Sequence, residues 1–127
     1  MKRKAIPKRI RQLVYEKYNG HCAYCGCELK YEDMQVDHIN SVFHAEYNQE
    51  PVDDSIENYN PACRSCNFYK STLDIETFRK NIETSLIKKL RKDFNYKMLI
   101  KYRLIKEDFC PVKFYFERQR KGNHNGM

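Results

Sequence analysis

The sequence predicts a small α+β domain stapled by a metal ion, flanked by helices and followed by a C-terminal extension of helix and strand. Three observations predict it. Two cysteine pairs at C-x-x-C spacing, Cys22/Cys25 and Cys63/Cys66, predict the staple. Apolar residues at helical spacing on both sides of the pairs predict the flanking helices. Short alternating runs predict the strands. A chain of 127 residues buries only a modest core, so a staple matters to its stability. Residues 1–73 are expected to form the stapled domain, and 74–127 a helical extension with a terminal strand, packed on the same domain.

Ile10, Leu13, Val14 and Tyr18 share one face of a 3.6-residue period and predict a helix over 7–18. Pro7 fits its first turn, and Asn19-Gly20 is its stop. The cysteine-rich turn HCAYCGCEL follows. Residues 29–39 read as a hairpin, with Met34 and Val36 on one face and a polar turn near Glu32-Asp33. Residues 40–57 are polar and acidic, with Pro51 and the pair Asp53-Asp54, and read as a long loop. PACRSCNFYK opens a short helix after Pro61. Asp74 can cap a further helix over 75–92, along which Ile75, Phe78, Ile82, Leu86 and Leu90 keep near-helical spacing. Residues 96–105 are ambiguous between helix and strand and read better as helix. Val112, Phe114 and Phe116 alternate with Lys113 and Tyr115, which predicts a strand before a polar tail.

Two C-x-x-C pairs in one small chain are the pattern of a tetrahedral four-thiolate zinc site. Two residues between thiolates let a tight turn aim both sulfurs at one ion, and Gly26 helps the backbone make that turn. A closed four-thiolate site has no open position, so this Zn2+ is expected to be structural. Cys27 and Cys110 are expected to be free thiols.

Formal charge is +7, from 24 Lys and Arg against 17 Asp and Glu, which favours a polyanionic partner such as nucleic acid. The N-terminus is charged and lacks the apolar core of a secretory signal, and no apolar run approaches bilayer length. Six cysteines without a signal point to metal binding in a reducing cytosol, of a cell or of a host cell.

Between the cysteine pairs lies Asp37-His38, in VDHI. Asn58 precedes the second pair, in SIENYNPACRSCN, and Asn67 directly follows it. With C-x-x-C-G, D-H-I, E-N and C-x-x-C-N in this order, residues 8–72 resemble the HNH endonuclease family and its ββα-metal, treble-clef-like fold. The resemblance implies hydrolysis of DNA phosphodiester bonds with one catalytic divalent cation, Mg2+ or Mn2+. It implies His38 as general base, Asp37 and Asn67 as ligands of that cation, and Asn58 as the residue that braces the loop and orients His38. Asn60, two residues on, is a rival for that last role. The family motif often ends in His where Asn67 stands here, and Asn is a familiar variant.

The chemistry suits these residue types. Imidazole as a class titrates near neutrality and can take a proton from water. Carboxylate and amide oxygens suit a hard cation that relieves charge on a phosphate. On a helix, Cys66 and Asn67 diverge by roughly 100°, so one short helix can tie both metal sites together. Arg64 and Lys70 are expected to contact DNA phosphates, with Lys2, Arg3, Lys4, Lys8, Arg9 and Arg11 as further candidates. Arg79, Lys80, Lys88, Lys89, Arg91 and Lys92 make the helix over 75–92 either a DNA-binding face or the solvated side of a core helix. His21 is expected to pack or cap, His44 to be solvated, and His124 lies in the tail.

Two other readings compete. A non-catalytic zinc module that binds nucleic acid needs the cysteines and the charge, but not Asp37, His38 and Asn67. A protein–protein adaptor would use the aromatic strand 114–116. No separate recognition domain is evident, which points to low specificity or to a protein partner that supplies it.

Overall fold

The structure, a computed structural model, describes residues 3–119. It divides into two units: residues 3–74 with 113–119, and residues 75–112. The terminal segment from Lys113 thus groups with the first unit. Lys2, a candidate for a phosphate contact, and His124 lie outside the described residues.

In the first unit, helix α1 (Lys8–Glu16) follows Pro7 and ends where Asn19 and Gly20 both take positive φ, 54° and 76°. Of the predicted apolar face, Val14 is fully buried but Leu13 is exposed. Arg11 takes the inner position instead, its guanidinium donating to the carbonyls of Tyr31 and Met34, both at 2.8 Å. A 3₁₀ turn (Tyr31–Asp33) leads into strand β1 (Gln35–His38). Helix α2 (Val42–Tyr47) and a second 3₁₀ turn (Ile56–Asn58) precede strand β2 (Tyr59–Ala62), and helix α3 (Arg64–Lys70) follows it.

β1 and β2 form a two-stranded antiparallel sheet with Asp37 opposite Asn60 and His38 opposite Tyr59. With α3 this is the expected α+β arrangement. The predicted hairpin over 29–39 is not there. Its polar turn exists, but β1 pairs with β2 from across the loop. The real hairpin lies earlier, over 20–29. Cys22 N–H donates to Cys27 O at 2.8 Å and Leu29 N–H to Gly20 O at 2.7 Å, which folds the first cysteine pair into its tip. Ala23 N–H then bonds Pro61 O at 2.8 Å, so the hairpin is fastened to β2.

The stretch 40–57 is not all loop. Ser41 Oγ accepts from His44 N–H at 3.0 Å and starts α2, a side-chain cap that the polar composition obscured. The predicted strand over 112–116 is likewise replaced, because residues 115–119 are helical. Glu117 Oε1 accepts from Phe114 N–H at 2.8 Å, half of a capping box, while Tyr115 and Phe116 N–H donate to Tyr24 and Ala23 carbonyls. Successive amides bonding one side is turn geometry; in a strand they alternate. Val14, Tyr24, Leu29, Met34, Tyr59, Ala62 and Phe114 form this unit's core.

In the second unit, α4 (Ile75–Lys80) runs through a π turn (Asn81–Ser85) into α5 (Leu86–Leu90). A row spaced by four residues drifts about 40° per step around an α-helix, and the wider turn offsets part of that drift. Helix α6 (Phe94–Lys101) confirms helix over strand for this stretch. Asp93 caps it, accepting from Tyr96 N–H at 3.0 Å.

Candidate metal centre and active site

The four predicted cysteines converge. Cys22 and Cys25 sit at the hairpin tip, Cys63 is the N-cap of α3 and Cys66 lies in its first turn, and the four sulfurs are within 4.8 Å of one another. Gly26 closes the turn at φ 82°, and a Cβ there would meet the Tyr115 ring at 2.6 Å, so the site excludes any side chain at that position. Backbone amides already point at the sulfurs: Tyr24 N–H to Cys22 Sγ and Cys66 N–H to Cys63 Sγ, each at 3.4 Å.

The electrostatics describe a site that wants a cation. A hydrogen bond from Cys66 holds the Cys22 thiol down to about 4 against the opposing effect of burial. The same bond, with burial, pushes Cys66 up. Four thiolates this close repel one another unless a dication sits among them, and soft sulfur donors in this number fit structural Zn2+. Cys27 is exposed beside the site and pushed up to about 12, first by desolvation and then by Cys25.

Asp37 and His38 leave β1 toward different neighbours, yet both line one pocket of about 220 Å³ with Asn67. Asp37 is buried. Tyr24 Oη donates to its Oδ2 at 2.5 Å, and Lys70 Nζ lies 3.1 Å from Oδ2 and 3.3 Å from Oδ1. Burial raises the Asp37 carboxyl, opposed by the Lys70 charge and the Tyr24 bond. Lys70 Nζ also donates to the His38 carbonyl at 3.1 Å. Lys70 is wholly inaccessible. The expected phosphate contact is therefore corrected: the ammonium is turned inward as the counter-ion of Asp37.

His38 Nε2 lies 3.1 Å from Asp54 Oδ1, and its ring meets Tyr59 edge-on at 5.0 Å. Asp54 also accepts from Arg3 at 2.6 Å and Tyr59 Oη at 2.9 Å. Arg3 first, then His38, hold its carboxyl down to about 2. Asn58, buried, donates to Asn40 O and Asp53 O and accepts from Asn40 N–H, spanning both ends of the intervening segment. Asn60 instead donates to Tyr24 Oη at 3.2 Å, behind Asp37. Asp54, Tyr24 and Lys70's inward role escaped the sequence; the pair Asp53-Asp54 was visible, but its distance to His38 depends on the fold.

Of the other basic candidates, Arg64, Lys4, Lys8 and Arg9 are exposed, whereas Arg3 and Arg11 are committed to Asp54 and to backbone carbonyls. In the second unit Arg79 pairs with Glu76 and Arg91 with Glu107, while Lys80, Lys88, Lys89 and Lys92 are exposed. His21 packs on Tyr115 with rings stacked at 5.3 Å, and His44 is exposed. No helix among the described residues is long and apolar enough to cross a membrane.

Comparison with known proteins agrees with this geometry. The chain is 33% identical over 86 residues to YoqL of Bacillus subtilis (strain 168), an SPbeta prophage-derived protein named as an HNH endonuclease. The match covers 61% of this chain and 36% of that protein, so the chain spans about a third of its relative's length. The fold resembles part of the Type II-C Cas9 enzyme from Actinomyces naeslundii, with TM-score 0.50 and 20% identity over 86% of this chain and 14% of that one. The HNH endonuclease family model matches residues 22–72, the span from the first cysteine of the four-cysteine cluster to just past α3.

Proposed function

We propose that the chain is a metal-dependent endonuclease that hydrolyses phosphodiester bonds in DNA, with His38 as general base. The observation that carries this reading is one pocket lined by Asp37 and His38 from β1 and by Asn67 from α3, the helix that Cys63 caps and that carries Cys66. The Asn67 amide oxygen and Asp37 Oδ1, the carboxylate oxygen that does not bond Tyr24, are hard donors of the kind a divalent cation such as Mg2+ or Mn2+ takes. When bound, that ion supplies charge relief on the phosphate and at the departing oxygen.

The remaining work belongs to the chain's own side chains. With Nε2–H held on Asp54, the Nδ1 lone pair of His38 is free to take a proton from water. Asn58 fixes the segment that carries Asp54 and so orients His38 indirectly. Lys70 and Tyr24 keep the Asp37 carboxylate in one orientation, and exposed Arg64 is placed for a phosphate contact. The four-cysteine site holds structural Zn2+ and sets the position of α3.

Incubation of zinc-loaded protein with supercoiled plasmid tests the reading. Cleavage is expected with Mg2+ or Mn2+, and loss of it with His38→Ala. No metal-dependent cleavage by the wild-type chain, or equal cleavage by His38→Ala, overturns it in favour of a non-catalytic zinc module that binds nucleic acid.

A further inference from the structure

The basic charge of this chain is unevenly placed. Residues 75–112 hold ten Lys and Arg against five Asp and Glu, a net +5 of the whole chain's +7. Four of the five acids there are already occupied. Glu107 binds Arg91 and Tyr96 Oη, Asp93 caps α6, Glu76 binds Arg79, and Glu83 accepts from Val112 N–H at 2.8 Å.

Between α6 and the returning segment 103–107 runs a groove of about 850 Å³. Its floor is apolar, made by Tyr96, Ile100 and Ile105. Its edges carry Lys97, Lys101, Arg103 and Lys106, all exposed, and none of these four makes an ion pair among the described residues; the one acid in the lining, Glu107, is neutralised by Arg91 beside it. Lys97 and Lys101 lie one turn apart on a single face of α6.

Arg103 ends the helix. It follows α6 with φ 61°, closing the helix as Leu104 N–H bonds Leu99 O at 2.9 Å. That position suits glycine, and a long β-carbon-bearing residue is strained there. Gln49 and Ser71 close α2 and α3 at positive φ as well, so at Arg103 it marks a helix end that fixes the backbone at the groove's edge.

We infer that this groove binds the sugar–phosphate backbone of DNA, as an anchoring surface formed within residues 75–112. Four unpaired cations match a row of phosphates, and the apolar floor matches the sugars between them. The choice of DNA as the polyanion rests on the nuclease reading; the groove itself does not.

The test compares zinc-loaded chains by fluorescence anisotropy with a labelled 30-base-pair duplex, across a salt series in chelator-free buffer without Mg2+ or Mn2+. Replacing Lys97, Lys101, Arg103 and Lys106 by Gln is expected to flatten the slope of log K against log salt by about 3–4. Replacing Lys80, Lys88, Lys89 and Lys92 by Gln removes the same net charge and is expected to flatten it by less than about 1. Arg103→Gly relieves the backbone strain, so it is expected to keep or raise thermal stability while flattening the slope by about 1. Equal slopes for the two quadruple variants, or unchanged binding by Arg103→Gly, overturn the inference. Plasmid cleavage by the same samples separates the two claims. Cleavage with an unaltered slope removes the groove and keeps the nuclease; an altered slope with no cleavage by any sample removes the nuclease and keeps the groove.

Discussion

Lys70→Met is the substitution that most directly probes how the pocket is built. Methionine fills much of the lysine's volume but removes the ammonium. Asp37, 5% exposed, is then left with the Tyr24 hydroxyl as its one close charge-stabilising partner, where it now has Nζ at 3.1 Å and 3.3 Å from its two oxygens. Removing one partner of a buried pair typically costs about 3–5 kcal/mol, because the other charge stays buried and uncompensated. Against an ordinary domain stability of about 5–15 kcal/mol, that is a large fraction. The His38 carbonyl loses its Nζ–H partner as well, which adds to the cost. Adding Asp37→Asn removes the orphaned charge, so the double variant is expected to recover at least about 2 kcal/mol over Lys70→Met. The chain has ten tyrosines and no tryptophan, so urea unfolding followed by tyrosine fluorescence reads the effect. Zinc is held constant, and Mg2+ and Mn2+ are left out. A loss below about 1 kcal/mol for Lys70→Met, or a double variant that equals the sum of the two singles, refutes the buried ion pair.

Further predictions concern the reaction, the zinc and pH. His38→Ala is expected to lower plasmid cleavage about 10²–10⁴-fold with little change in zinc content or DNA affinity; a wild-type rate under matched metal removes the general-base role. Asn67→Ala is expected to be rescued in part by extra Mn2+, which His38→Ala is not; equal rescue of both removes Asn67 as a ligand. Cys63→Ser is expected to lose the zinc and unfold the first unit, since structural zinc is worth about 10–16 kcal/mol; a folded, metal-free variant by native mass spectrometry contradicts this. Asp54 sits at about 2 when folded, below the usual carboxylate value of 3.8, so its stabilising contribution is full above 3.8 and is lost as pH falls toward 2. Asp54→Asn is therefore expected to show a shallower loss of stability between pH 4 and 2 than the wild type, and an unchanged acid limb contradicts it.

The cysteine framework, α1, α3 and the pairing of Asp37, His38 and Asn67 in one pocket were legible because each rests on local spacing or short motifs. The errors share a different cause. Residues 29–39 have the alternation of a hairpin, but β1 finds its partner 20 residues away, and no local pattern encodes that choice. Residues 112–116 alternate as a strand does, yet the carbonyls at the zinc hairpin take two consecutive amides and Glu117 caps a helical turn. Ser41 and Glu117 are both caps; polar composition hides the first and strand-like alternation hides the second. Lys70 looked like a phosphate contact because lysines are ordinarily exposed. Only the fold places a buried carboxylate opposite it.

That burial changes how the proposed ligand roles of Asp37 and Asn67 have to be tested. Read from sequence, Asp37→Ala and Asn67→Ala are equivalent ligand deletions. In the structure they are not, because Asp37→Ala leaves Lys70 as an unpaired buried cation, while Asn67 lines the pocket with no such obligation. An Asp37→Ala chain that fails to cut DNA therefore says little about metal binding unless its stability is measured too. Asn67 and Cys66 are neighbours on α3, so the four-cysteine site and the pocket share one short helix of seven residues. Such a helix is too short to persist in water by itself. Its position therefore depends on what the four cysteines hold at its first turn and on the Lys70–Asp37 contact at its last. Loss of either end should shift Asn67 away from Asp37 and His38, and activity should fall even in variants whose pocket residues are all intact.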